Sequence, residues 1–392
     1  MRGSAPGAHR CPLCASAALS VFFEMAEAPV HIGLQWPSAE AARACPKGEI
    51  ELAFCRECGF IANLAFDPRR LEYAPEYDNT LHFSPLYQEY AYATAERLIR
   101  RYGLSGKEIL EIGCGRGEFL SLLCALGNNR GVGFDPGCGG GERRAAGGGE
   151  VSFVNDFYSE RHAGCGGDLV CCRYVLEHVP DPVELLATVR RAIADRREAV
   201  VYFEVPNAAF ILRDLSVWDI IYEHCSYFSR ESLANLFTRC GFEVLELAET
   251  YGGQLLAIEA RPGHGAVWAE ETRGDELAVA AFPALCRKKL GQWQRRLERM
   301  ERTGRRVALW GAGAKGVSFL NMLPAHGAVH YAVDVNPRKQ GKFIAGTGQR
   351  IRAPAFLSED RPDVVIVVNP LYQDEIRRIT AGLGVAPLFL CA

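Results

Sequence analysis

Four cysteines near the N-terminus stand in two pairs of equal spacing, Cys11-Pro-Leu-Cys14 and Cys55-Arg-Glu-Cys58-Gly59. Two such knuckles can aim four thiolates at one tetrahedral ion, and zinc held by four thiolates keeps no coordination position for water. The spacing therefore predicts structural zinc on Cys11, Cys14, Cys55 and Cys58, with Pro12 and Gly59 suiting the turns. Cys45 falls between the pairs and belongs to neither. Other members of the set of 15 cysteines, such as Cys171, Cys172 and Cys240, lie inside apolar runs, where a reduced thiol packs as a small hydrophobe. Redox chemistry at either pair is disfavoured, because no strand-to-helix context surrounds it.

Two glycine-rich turns follow strand-like apolar segments. The first reads Glu111-Ile-Gly113-Cys-Gly115-Arg-Gly117. Glycine lets backbone approach a ligand closely, and the helix that follows offers free N–H groups at its start. Alone, this pattern also fits nicotinamide and flavin enzymes. Three neighbours favour S-adenosylmethionine. Glu111 lies two residues before the first glycine, near the place of the cofactor's amino-acid moiety. Asp135 ends the next strand, positioned for both ribose hydroxyls. Asn155-Asp156-Phe157 follows a third strand and suits the adenine amino group. The second turn, Gly311-Ala-Gly313-Ala-Lys315-Gly316 with Asp334 beyond it, matches the dinucleotide pattern. Its domain is short and has no second catalytic set. The expectation there is a substrate-side nucleotide or diphosphate contact, or an architectural turn, and no redox cofactor.

Two Glu-His pairs complete the chemical inventory, Tyr174-Val-Leu-Glu177-His178 and Ile221-Tyr222-Glu223-His224-Cys-Ser-Tyr227-Phe-Ser229. Each adjoins a strand end, and loops at the carboxyl ends of parallel strands are where α/β proteins bind ligands. Removing a proton from a carbon beside a carbonyl needs a base tuned near neutrality and a donor for the enolate oxygen. Histidine suits the first role; tyrosine or a second histidine suits the second.

The elements that must position these residues alternate. Strand-like Glu108–Ile112, Gly131–Phe134, Val151–Val154, Asp168–Cys172 and Ala199–Glu204 are interleaved with helical Glu118–Leu126 and Pro182–Ile193. A helix over Glu231–Cys240 is capped at Ser229 and stopped by Gly241, before an antiparallel pair around Gly252-Gly253. Residues 137–149 read as a glycine-rich surface loop, and the stretch between the knuckles shows little periodicity. A charged helical connector, residues 271–302, leads to a second alternating set: strands Val307–Trp310, Val329–Val333 and Val364–Val368, helices Lys315–Met322 and Asp374–Ala381. This is an α/β chain of 392 residues whose net charge of −3 argues against nucleic acid as a partner. The sequence has no run of membrane-spanning length, and a cytoplasmic location is expected.

In order and spacing, the chain resembles the sugar carbon-methyltransferases that act on nucleotide-linked ketodeoxysugars. The segments that carry the likeness are the knuckles, Tyr77-Asp78 with Ser84, Leu110–Gly117, Val175-Leu-Glu-His178, Glu204-Val-Pro-Asn207 and Tyr222-Glu-His-x-x-Tyr-Phe-Ser229. Gly252-Gly-Gln254, Trp310–Gly316 and Asp334-Val-Asn-Pro-x-Lys339-Gln-Gly341 complete it. The resemblance implies a zinc-binding module over 1–75, a class I Rossmann-like methyltransferase core over 76–265, a helical connector over 266–303 and a smaller C-terminal Rossmann-like domain over 304–392. It further implies structural zinc, S-adenosylmethionine on Glu111, Gly113, Gly115, Gly117, Asp135 and Asp156, and a small-molecule partner, a nucleotide-linked sugar, between the last two domains. His224 becomes the base, with Tyr222, Glu223, His178 and Tyr77 lining the reacting sugar. Tyr174, where relatives carry histidine, and the missing proline before Gly346-Thr347 are departures that bear on the substrate. The rival readings are an oxygen- or nitrogen-methyltransferase on another small metabolite and a non-catalytic nucleotide-binding scaffold.

Overall fold

The computed structural model describes residues 9–71, 77–78, 80–138, 141–144, 147–194, 196–263 and 273–392. Its N-terminal part is built on strands β1 (Leu19–Pro29), β2 (Lys47–Cys55) and β3 (Ile61–Asn63), with a short helix α1 (Ala39–Arg43) between the first two. β1 and β2 form an antiparallel ribbon in the stretch where no periodicity was expected. Two register irregularities, between Val21 and Phe23 and between Met25 and Ala28, explain the discrepancy. A bulge shifts the inward face by one residue, so the apolar alternation of a strand is broken along its length.

The middle part opens with helix α2 (Pro85–Tyr102), which Ser84 caps by accepting from Tyr87 N–H and which ends at Gly103 in the left-handed region. Tyr87, Ala91, Ala95 and Leu98 fall on its buried face, the spacing of an amphipathic helix. There follow β4 (Glu108–Ile112), α3 (Glu118–Gly127), β5 (Arg130–Phe134), β6 (Gly141–Arg144), β7 (Glu150–Val154), β8 (Leu169–Arg173), α4 (Pro182–Ala192) and β9 (Val200–Pro206). Next come α5 (Ala208–Arg213), β10 (Ser226–Tyr227), α6 (Arg230–Arg239), β11 (Phe242–Thr250) and β12 (Leu255–Pro262). Among the described residues these strands form one eight-stranded sheet in the order β11-β12-β9-β8-β4-β5-β7-β6, from which β10 is absent. The five strands from β9 to β7 run parallel, and the edge strands β12, β11 and β6 are antiparallel. β6 corrects the loop reading of 137–149: residues 141–144 pair with β7 through backbone groups, which need no apolar side chains. Ser229 and Ser232 form a reciprocal capping box at the start of α6, worth about 1 kcal/mol.

β10 belongs instead to the N-terminal sheet, ordered β1-β2-β3-β10, with Ser226 opposite Ala62 and Tyr227 opposite Ile61. The segment just before it, which contains His224, is therefore anchored by the knuckle-bearing sheet.

A long helix, α7 (Arg273–Arg302), buries Val279, Phe282, Cys286, Trp293 and Leu297 along one face. These side chains join a single apolar cluster with residues of the N-terminal ribbon and of the C-terminal part. That part comprises β13 (Val307–Trp310), α8 (Ala314–Met322), β14 (Tyr331–Val333), β15 (Arg350–Arg352), α9 (Phe356–Asp360), β16 (Val364–Val367), α10 (Gln373–Gly382) and β17 (Leu388–Cys391). Its five strands are all parallel, ordered β15-β14-β13-β16-β17. The order reverses beside β13 here and beside β4 in the larger sheet, and such reversal points open crevices at the carboxyl ends of strands.

The two sheets are tied across their carboxyl edges by polar pairs. Gln254 and Asn369 exchange amide hydrogen bonds of 2.9 Å in both directions. Tyr251 donates to Tyr372 at 2.5 Å and Ser84 to Glu375 at 2.7 Å, while Arg338 pairs with Asp78 at 2.8 Å. In the second glycine turn a Cβ on Gly316 would lie 1.9 Å from the Gly311 carbonyl oxygen, so α8 can approach β13 only with glycine there. Gly316→Ala is expected to lower stability by about 1–3 kcal/mol through overpacking; an unchanged thermal midpoint would contradict this close approach.

Candidate active site

The four knuckle sulfurs converge. Cys11 Sγ lies 3.6 Å from Cys58 Sγ, and Cys14 Sγ lies 3.6 Å from Cys55 Sγ. All four fall within 4.8 Å of one another. A tetrahedron with metal–sulfur bonds of about 2.3 Å has edges of about 3.8 Å, so the set fits zinc without rearrangement. The knuckle turns are closed by Ala15 N–H to the Cys11 carbonyl and Gly59 N–H to the Cys55 carbonyl, with Ala15 and Gly59 both left-handed. Cys45 packs separately in the core with Ile50 and Leu52.

A cavity of about 890 Å³ opens between the carboxyl ends of the parallel strands of the two sheets, and both glycine turns line it. In the first turn Gly113, Gly115 and Gly117 are all left-handed. A Cβ on Gly113 would strike Val175, and one on Gly117 would strike the Phe153 ring, whereas Gly115 faces open space. Asp135 accepts from Gly115 N–H at 3.0 Å and from Gly137 N–H at 2.7 Å, so its carboxylate braces the loop as well as facing the cavity. Glu111 is buried, its Oε2 has no hydrogen-bond partner among the described residues, and burial pushes its carboxyl up to about 8. A buried orphan acceptor of this kind is suited to an arriving ammonium group, as carried by the amino-acid end of S-adenosylmethionine. Asp156 also lines the cavity, but its carboxylate is ion-paired with Arg161 at 3.0 Å.

At the centre, His224 is buried with its ring 4.9 Å from that of His178, and both line the cavity. Burial drives both histidines below their usual range, His178 to about 4, so both are neutral near pH 7. His178 Nδ1 sits 3.0 Å from the Glu223 carbonyl. A carbonyl only accepts, so Nδ1 carries the proton and Nε2 is the basic nitrogen. Glu223 itself does not line the cavity. Its fully buried carboxyl accepts from Ile32 N–H at 2.8 Å and from the Tyr77 hydroxyl at 2.6 Å, and burial raises it to about 7. Tyr77 does line the cavity, and its hydroxyl stands between Glu223 and that space.

Tyr222 is placed elsewhere. Its ring packs on Gly48 and Phe66, and its hydroxyl accepts from Asp67 N–H at 3.0 Å, away from the cavity. Adjacent motif residues point in different directions when the segment is turning, and Tyr222 is the one that faces the N-terminal sheet.

Arg173 is a cavity residue that the sequence patterns did not single out. It is buried, bonds Glu204 at 2.5 Å and lies 4.0 Å from the Phe119 ring centre, beside Glu111 in the cavity wall. The one available signal was a charge closing the apolar run Leu-Val-Cys-Cys-Arg173. Tyr174, next in sequence, is left-handed at φ +58°, an uncommon conformation for a bulky residue that recurs at functional sites. In the second turn, Ala312 N–H and Asn336 N–H both donate to Asp334 at 2.8 Å, and Lys315 pairs with Asp219.

Comparison with known proteins agrees with this geometry. The profile of a methyltransferase domain matches residues 87–247, and that of a C-methyltransferase C-terminal domain matches residues 273–384. The fold, the cofactor loop and these matches define an S-adenosylmethionine-dependent methyltransferase. Among individual relatives, the C-methyltransferase NovU of Streptomyces niveus is 28% identical over 305 residues, covering 71% of this chain and 70% of that protein. A ubiquinone biosynthesis O-methyltransferase of Aromatoleum aromaticum is 27% identical over 206 residues, covering 47% of this chain and 86% of its own. Among solved structures, magnesium protoporphyrin IX methyltransferase from Synechocystis is similar over 45% of this chain and 84% of its own, at 17% identity and a TM-score of 0.36. Among the described residues no helix is long and apolar enough to cross a membrane.

Two predictions follow from the placement of side chains. Metal analysis of purified protein is expected to give about one zinc per chain, lost together in Cys55→Ser; under half an equivalent would contradict the four-thiolate site. Tyr222→Phe is expected to cost about 0.5–1.5 kcal/mol of stability and leave the methyl-transfer rate within about threefold. A rate loss of about a hundredfold in a normally folded Tyr222→Phe would return that residue to the chemistry.

Proposed function

We propose that this enzyme moves a methyl group from S-adenosylmethionine to the carbon beside the ketone of a nucleotide-linked ketodeoxysugar. The observation that carries the reading is His224, a buried neutral imidazole whose Nδ1 has no hydrogen-bond partner among the described residues, lining a cavity shared by both glycine turns. Glu111, the Gly113–Gly117 turn, Asp135 and Asp156 would hold S-adenosylmethionine, which when bound supplies an electrophilic methyl group. The second turn, with Lys315 and Asp334 on the opposite wall, offers backbone N–H groups and charge to the nucleotide end of the substrate. Matching a C-methyltransferase C-terminal domain over 273–384 supports carbon as the acceptor.

His224 takes the proton from the carbon beside the ketone, and the C–H electron pair moves into the enolate. His178 is a poor donor to the enolate oxygen, because its one ring proton is committed to the Glu223 carbonyl. Tyr77 suits that role better. Its hydroxyl lines the cavity and, by rotating away from Glu223, can donate to a substrate oxygen. A positioned base contributes about a hundred- to ten-thousand-fold to such a step.

The test uses an isotopically labelled methyl donor with nucleotide-linked ketosugars. The label is expected on carbon, and His224→Ala is expected to slow transfer by about a hundred- to ten-thousand-fold with S-adenosylmethionine affinity little changed. A methoxy product, the outcome suggested by the O-methyltransferase relative, would overturn the carbon assignment. A wild-type rate in His224→Ala would overturn the base.

A further inference from the structure

Glu177 has no part in the chemistry set out above, yet it sits at its centre. It is 1% exposed, and its carboxylate, a ring nitrogen of His178 and a ring nitrogen of His224 all lie within 4.8 Å of one another. Glu177 Oε2 and His224 Nδ1 are both buried without a hydrogen-bond partner among the described residues. An unsatisfied buried polar atom is costly, so the pair is unfavourable in the resting molecule. The cost is removed if a charge appears on the imidazole during turnover.

We propose that Glu177 is the counter-charge of the base: a positioning residue that acts through His224 by holding a negative charge beside the ring when the ring accepts the substrate's proton. This inference rests on the reading of His224 as the base. Among the described residues that charge has no other placed partner. Glu223 is spent on Ile32 N–H and Tyr77, and Asp219 is held by Lys315. Lys315 itself acts against protonation of His224, as does His178.

His224 receives the proton and becomes imidazolium, and the electron pair it leaves on carbon forms the enolate. That carbon then takes the methyl group from the sulfonium, leaving a neutral thioether. The surplus proton stays on the ring beside ionised Glu177 until it passes to solvent. With the proton already on Glu177 the same step would place an uncompensated cation in a buried site, so the competent form has Glu177 ionised. Burial raises this carboxyl to about 8. Among the described residues the groups facing the trio are Cys172, Cys225 and Tyr227, all pushed upward by burial, then Glu223 and Lys315. Near pH 8, with Cys172 and Cys225 neutral, Glu177 is the carboxyl of the trio positioned to titrate. The rate should therefore rise with pH through this range.

The experiment follows the histidine ring signals by NMR in the full-length zinc-loaded protein with S-adenosylhomocysteine bound, His224 being assigned by its loss in His224→Gln. In wild type the His224 signal is expected to shift in a step near pH 8, as the trio gains one proton. Glu177→Gln should lose that step, and Glu177→Asp, which keeps the charge on a shorter arm, should retain it. A step that persists in Glu177→Gln would overturn the proposal. So would a step that appears only with added divalent cation and vanishes on chelation, since the trio would then be holding a metal. This readout needs no substrate, so a protein inactive on every ketosugar could still pass it, and failure here leaves the carbon-methylation reading standing. Where turnover is available, Glu177→Gln should lower kcat at least about tenfold with KM for S-adenosylmethionine within about twofold, and the rising pH limb should flatten. An unchanged kcat and pH profile would also overturn it.

Discussion

The structure depends most on how the segment around His224 is held. In sequence this segment belongs to the methyltransferase core, but its strand β10 is the fourth strand of the sheet that carries the cysteine knuckles. Asn63 N–H bonds the Cys225 carbonyl, Ile32 N–H bonds the Glu223 carboxylate, and Tyr222 reaches back to Asp67. Each of these contacts crosses from one part of the chain to the other, and together they fix the backbone on both sides of one imidazole. A closed four-thiolate zinc site has no chemistry of its own to contribute. Its use here is rigidity, because a small sheet with a short third strand needs a staple before it can serve as a foundation.

The second constraint is that the parallel strands of two sheets present their carboxyl ends to the same space. Either edge alone would give a shallow crevice. Opposed, and tied by Gln254 to Asn369, Tyr251 to Tyr372, Ser84 to Glu375 and Arg338 to Asp78, they enclose a single volume. Each of these ties is a hydrogen bond or ion pair, with Glu375 accepting from Ser84 Oγ–H and Leu86 N–H, so the polar groups of the junction are partnered. The enclosure also sets the electrostatics. Desolvation raises Glu111, Glu177 and Glu223 and lowers His178 and His224, so burial works against charge on each of these five groups. Charge then enters with the ligands, where the partners for it are already placed.

What the sequence made legible were features that depend on local backbone needs. Each knuckle turn is local and so was readable, while the β1–β2 pairing that sets Leu19 opposite Cys55 brings the two together; Gly113, Gly117 and Gly316 are forced by contacts a Cβ would break. The capped ends at Ser229 and Gly241 were readable for the same reason. The ribbon β1–β2 was hidden because bulges destroy the period-two pattern. β6 was hidden because its pairing is carried by backbone in a glycine-rich stretch. Arg173 escaped because its meaning lies in Glu204, its register partner on the neighbouring strand, and that adjacency exists only once the sheet order is known. Tyr222 and Glu223 show the opposite difficulty. Proximity to His224 in a motif placed them at the reaction, whereas the turn of the chain sends the tyrosine into the N-terminal sheet and leaves the glutamate behind Tyr77, bonded to its hydroxyl.

The most direct measurement is a crystal structure with S-adenosylhomocysteine bound, because it locates the reacting sulfur relative to the histidines. The adenosine is expected against Asp135 and Asp156 and the amino-acid end against Glu111. The sulfur should face the His178–His224 side of the cavity, with the Gly311–Gly316 turn left for the second ligand. The ligand lying across Gly311–Gly316, or its sulfur facing away from His224, would contradict a single cavity in which the first turn holds the methyl donor and His224 prepares the acceptor.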